Sequence, residues 1–114
     1  MAAKNIKVRI YHGDVPAIGP GKSDLLEAIA ESGSISAAAR SMGMSYKRAW
    51  DLVDAMNRSF KQPLVITATG GPHGGGAQVT EFGYDVLRRY RELETKATQS
   101  VLNELSALNA LLAD

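Results

Sequence analysis

Gly33-Ser34-Ile35-Ser36-Ala37-Ala38-Ala39-Arg40-Ser41-Met42-Gly43-Met44-Ser45-Tyr46-Lys47-Arg48-Ala49-Trp50-Asp51-Leu52-Val53 decides the fold. Two helices that meet at a wide angle across a tight turn need a residue free to turn left-handed between them, and Gly43 supplies it. Ala38 and Ala39 are small enough for the second helix to cross closely, and Met42 and Met44 flank the turn with apolar bulk. Ala49, with Leu52 or Val53, gives the second helix its inner face. Ser34 or Ser36 caps the first helix, and Ser45 caps the second. The pattern is that of a helix-turn-helix, expected as helices over 36–42 and 45–60.

Upstream, Ser23 or Asp24 is placed to cap a helix over 22–32, with Leu25, Leu26 and Ile29 inward and Gly33 as its stop. Residues 5–12 alternate apolar and polar through Ile6, Val8 and Ile10, as a half-buried strand does. Gly13 to Gly21, with Pro16 and Pro20, reads as a loop. Downstream, Leu64-Val65-Ile66-Thr67-Ala68-Thr69 is the strongest strand signal, followed by a glycine-rich tip at 70–76 and a short returning strand to Thr80. Strand, three helices, glycine-tipped hairpin and helix is the winged-helix order. The expected architecture is mainly α with a small β wing: a winged helix-turn-helix domain over 1–80 and a long helix over 81–114.

That last helix has no proline, and its only glycine is Gly83. Val86, Tyr90, Leu93, Ala97, Val101, Leu105, Leu108 and Leu112 recur at steps of three or four, an apolar stripe too long for one small domain to cover. Pairing with the same helix of a second chain is expected, with Tyr90, Leu93, Val101, Leu105, Leu108 and Leu112 at the homodimer seam. The competing possibility is a helix folded back on its own domain.

Composition narrows the function. The 114 residues include no cysteine, which excludes disulfides, thiolate metal sites and cysteine nucleophiles. There is no secretion signal or membrane-spanning run, and a cytoplasmic protein is expected. His12 and His73 are far apart and lack acidic partners at metal-ligand spacing, so neither an enzyme nor a cofactor is expected. Gly19-Pro20-Gly21-Lys22-Ser23 ends like a phosphate-binding loop, but the position of its first glycine is Pro16. The net charge is only +1, although residues 1–61 carry nine Lys or Arg against six Asp or Glu. Charge alone makes no case for nucleic acid; the pattern does.

In a helix-turn-helix the start of the second helix enters the major groove. Arg48 or Lys47 can bond guanine O6 and N7, and Tyr46 can meet a phosphate or a thymine methyl. Asp51 can accept from cytosine N4, but an intrahelical pair with Lys47 or Arg48 is the stronger reading; Asp54 and Arg58 form another such pair. A single tryptophan, Trp50, reads first as a core or interface anchor; its neighbours also admit an indole edge near the DNA backbone. Ser34 and Ser36 are candidate phosphate contacts, and His73 and Gly74 at the wing tip complete the set. Double-stranded DNA is the expected partner, with a winged-helix protein-interaction module as the alternative.

The segments 33–39 and 44–57, the wing 70–76, the step Thr80-Glu81-Phe82-Gly83 and the run 19–22 together resemble ModE-type molybdenum-responsive transcription regulators over roughly residues 5–95. The resemblance implies a LysR-like winged helix that is dimeric and reads a palindromic operator. Regulators of that family continue into a molybdate-binding region; with Asp114 directly after the long helix, molybdate binding is not expected to carry over.

Overall fold

The computed structural model describes residues 6–68 and 76–114. A hairpin of β1 (Ile10–His12) and β2 (Val15–Ile18) leads into α1 (Pro20–Ser32), α2 (Ile35–Ser41) and α3 (Tyr46–Ser59). The antiparallel wing strands β3 (Val65–Thr67) and β4 (Ala77–Val79) follow, then α4 (Glu81–Ser100) and α5 (Leu102–Asn109). The winged helix-turn-helix order expected from the sequence is present.

Each helix start has its own chemistry. Ser34 caps α2 by accepting from the Ala37 amide, Ser45 caps α3 through Arg48, and Thr80 caps α4 through Gly83. The first helix begins differently: Gly19 is its cap and Pro20 its first residue, while Ser23 lies buried with its hydroxyl donating to the Pro20 carbonyl. Proline at that position forfeits no intrahelical bond, so the helix opens two residues earlier than expected. Gly43 turns α2 into α3 with φ +66°, a conformation that costs a Cβ-bearing residue steric strain.

The core joins Leu25, Leu26 and Ile29 of α1 to Ala38 and Ala39 of α2, and to Ala49, Val53 and Met56 of α3. Leu64, Val65, Ala77 and Val79 close it from the wing side. Phe60, at the end of α3, meets Phe82 of α4 edge-on, with ring centroids 6.4 Å apart.

Three hydrogen-bonded ties fix the wing base. The Asn57 side chain accepts from the amides of Leu64 (2.8 Å) and Val65 (3.2 Å) and donates to the Val65 carbonyl (3.0 Å). The Ala77 amide donates to the carbonyl of Gly33, the left-handed cap of α1, at 2.9 Å. The Thr80 amide donates to the Leu64 carbonyl at 2.9 Å, and its hydroxyl to the Pro63 carbonyl at 2.8 Å. The wing is thus held to α1 through the Gly33 backbone and to α3 through the Asn57 side chain.

Several expectations are corrected. The strand expected over 5–12 is regular only from Ile10, and the stretch read as a loop contains β2, joined to β1 across Gly13-Asp14. Proline is tolerated there because a two-stranded sheet consists only of edges. Nor is the final helix continuous over 81–114: it breaks at Val101 (φ −124°, ψ 22°) without proline or glycine. Just before the break, Thr98 donates its hydroxyl to the Glu94 carbonyl and Ser100 to the Ala97 carbonyl. Such back-bonding competes with the helical ladder and bends it.

Tyr90 is corrected as well. It is buried at 3% exposure in the protomer's own core, and its hydroxyl donates to the Val8 carbonyl at 2.6 Å. It is not available to a dimer seam. The next residue, Arg91, ties α4 to α1 by bonds to Asp24 (2.8 Å) and Glu27, and also pairs with Glu94 on its own helix. Partial burial by itself lowers the pKa of this guanidinium, but the three carboxylates outweigh it and raise the pKa.

Candidate nucleic-acid interface

The first two turns of α3 present polar and aromatic side chains. Ala49, Val53 and Met56 point into the core, which leaves Tyr46, Lys47, Arg48, Trp50 and Asp51 exposed. Lys47 pairs with Asp51 at 3.0 Å, with side chains 84% and 61% exposed, as the intrahelical reading of Asp51 anticipated. A pair this open is worth only about 0.3–0.5 kcal/mol, so an anion competes for Lys47 on nearly even terms. The Arg48 guanidinium has no partner among the described residues. Asp54 and Arg58 form the second expected pair at 3.1 Å.

Trp50 is not a core anchor, the first half of its first reading. It is 44% exposed and stands outside the core. Apolar bulk on a helix signals burial only when it falls on the inward stripe, and residue 50 lies one step off the stripe of 49, 53 and 56.

Ser45 is exposed, and its hydroxyl oxygen is occupied as the cap of α3. Ser34 is half-buried in the equivalent role for α2, whereas the Ser36 side chain is exposed. His73 and Gly74 lie outside the described residues.

Asn57 was not singled out by sequence reasoning. A polar residue beside an apolar stripe carries no signal of its own, and only its bonds to Leu64 and Val65 show that it orients the wing. Of the remaining seam residues, Leu93 is exposed, Val101 and Leu105 are half-buried, and Leu108 (61%) and Leu112 (65%) are open. Leu93 also lines an apolar cleft of about 180 Å³ with Ile10, Phe60 and Val86.

With this geometry in place, residues 23–84 match the family described as bacterial regulatory helix-turn-helix protein, lysR family. The chain belongs to that family. The matched span of this lysR-family chain runs from α1 through the wing into α4, so it contains every element described above as bearing on the site.

Among individual relatives, it is 46% identical over 92 residues to the molybdenum-pterin-binding protein MopA of Rhodobacter capsulatus, covering 81% of this chain. It is 45% identical over 93 residues to the molybdenum transport protein ModE of Azotobacter vinelandii, covering 78%. The DNA-binding transcriptional dual regulator ModE of Escherichia coli strain K12 is 42% identical over 99 residues, covering 82%. The likeness to ModE-type regulators expected from the Ser-Tyr-Lys-Arg-Ala-Trp segment is thus borne out. The matches span 34–37% of these relatives' own lengths, about a third. A chain of the CbnR_DBD-DNA complex shares the fold, with TM-score 0.58 and 22% identity over 77% of this chain and 95% of that one. Among the described residues, no helix is long and apolar enough to cross a membrane.

Proposed function

We propose that this chain is a sequence-specific, DNA-binding transcription regulator that acts as a homodimer on an inverted repeat. The observation that carries the reading is the first turn of α3, where the family fold leaves Tyr46, Lys47 and Arg48 exposed and the Arg48 guanidinium without a partner among the described residues. That turn is the part of a helix-turn-helix that enters the major groove. Arg48 and Lys47 take guanine, Tyr46 a phosphate or a thymine methyl, and the Ser36 hydroxyl a phosphate on the flanking strand. Ser34 and Ser45 serve chiefly by holding the two helix starts. The cytoplasm is the proposed compartment, and no catalytic role is assigned.

The dimer is supported by the leucines of α5. Leu102 and Leu108 of α5, with Leu111 and Leu112 just beyond its end, are 56–82% exposed, apolar area left uncovered in one protomer. Two-fold pairing sets two recognition helices about 34 Å apart, one helical turn of DNA. It also explains how a weakly charged chain binds firmly, because two linked sites gain from effective concentration.

Lys47→Ala with Arg48→Ala tests the reading, since both side chains are exposed and their loss leaves the core intact. Binding to a duplex enriched from a random pool should fall at least tenfold. The parent's affinity should drop steeply with added salt as counterions are released. Unchanged affinity in the double variant overturns the assignment of α3. Leu105→Glu with Leu108→Glu should yield monomers by sedimentation, with weaker binding; an intact dimer overturns the α5 seam.

A further inference from the structure

Tyr46 and Trp50 are the large exposed apolar side chains of α3, at 53% and 44%. Four residues apart on a helix, they stand about 40° apart around its axis and so share one flank. Asn57 falls between them in angle, and its side chain is bonded to Leu64 and Val65 at the wing base. The aromatic flank therefore faces the wing side, and Arg48 projects from the opposite one. The indole N–H has no acceptor among the described residues, and no neighbouring side chain shields either ring as part of the core.

We infer that Tyr46 and Trp50 form an apolar shelf that reads thymine methyl groups in each half-site. The inference rests on the proposed DNA reading and specifies which base that surface takes. Water-exposed aromatic area on an interface is covered by something apolar, and in the major groove the apolar group a base pair presents is the thymine C5 methyl. Lys47 stands between the aromatic flank and Arg48 around the helix, so a helix that presents Lys47 to the groove floor sets both rings along one wall and Arg48 along the other. Four residues rise about 6 Å along the helix, against 3.4 Å per base-pair step. The two rings thus meet thymines one or two steps apart, on the groove wall toward the wing.

The test uses the full chain and a duplex enriched from a random pool, in which thymines are replaced singly by deoxyuridine. Deoxyuridine keeps every hydrogen-bonding group and removes only the methyl. At one or two positions per half-site, affinity should fall about fourfold, the value of burying one methyl-sized group. In Trp50→Ala, the same deoxyuridine substitution should cost nothing further at the position that Trp50 meets. Trp50→Phe, which restores an aromatic face, should recover part of the sensitivity. An enriched duplex indifferent to deoxyuridine at every position overturns this inference and leaves the DNA reading standing. Failure to enrich any duplex overturns both.

Discussion

Gly83→Ala is expected to destabilise the fold, against the usual sign of the exchange. In an open helix, alanine is favoured over glycine by about 1 kcal/mol. At residue 83 a Cβ would overlap the Leu64 carbonyl oxygen and stand 2.8 Å from Val79 Cγ1 and 3.1 Å from the Leu64 carbonyl carbon. That carbonyl cannot easily retreat, because it accepts from the Thr80 amide at 2.9 Å and the Leu64 amide is held by Asn57 at 2.8 Å. Overpacking costs about 1–3 kcal/mol, and a backbone obstacle places this site at the upper end. Subtracting the propensity gain leaves a net loss of about 2 kcal/mol, or a fall in Tm of roughly 8 °C for a chain of this size. Thermal and urea unfolding followed by circular dichroism measure it. Gly21→Ala is the internal control: residue 21 also lies in the first turn of a helix, is exposed, and has nothing within 4 Å of a built Cβ. It should raise stability by about 0.4–1 kcal/mol. If Gly83→Ala raises Tm as Gly21→Ala does, the close approach of α4 to the wing base is refuted.

Two further outcomes follow from the ties described above. Asn57→Ala removes three hydrogen bonds at the wing base and should cost about 2 kcal/mol in urea unfolding; in Asn57→Ala, amide exchange at Leu64 and Val65 should quicken more than exchange in α1. Tyr90 has its pKa raised from the ordinary 10.0, first by burial and then by the charge of Glu94. Its neutral form is thus favoured by folding, and the stability it contributes is complete below pH 10 and lost as pH rises above that. The stability difference between the parent and Tyr90→Phe should therefore shrink as pH rises above 10; a constant difference would show that Tyr90 titrates normally.

The elements that the sequence announced are those whose signals are local. The left-handed turn at Gly43, the Ser34, Ser45 and Thr80 caps and the β-branched run that forms β3 all follow from residue types at short range. The pair Lys47–Asp51 was legible for the same reason. What the sequence concealed depends on contacts distant along the chain. Tyr90 fits an apolar stripe equally well whether it meets a partner chain or Val8. Periodicity also runs through Val101 undisturbed, because the break is made by hydroxyls of Thr98 and Ser100 that add nothing to an apolar pattern. The hairpin at Val15–Ile18 was hidden by Pro16, which excludes an interior strand but not an edge. The core reading of Trp50 came from its residue type, when its angle on α3 was the better guide.

Gly33 has no side chain, yet the alignment of two surfaces depends on it. Its left-handed turn ends α1, and the carbonyl it thereby aims holds Ala77 at the root of the wing. Replacing it would rotate that carbonyl and break the tie of the wing to α1, leaving that of Asn57 on α3, without touching any proposed contact residue. A genetic screen for lost regulation should therefore recover changes at Gly33 alongside changes on the recognition helix. Affinity alone would not distinguish the two classes. A footprint would, because a displaced wing can alter only the edges of the protected tract while the central contacts persist.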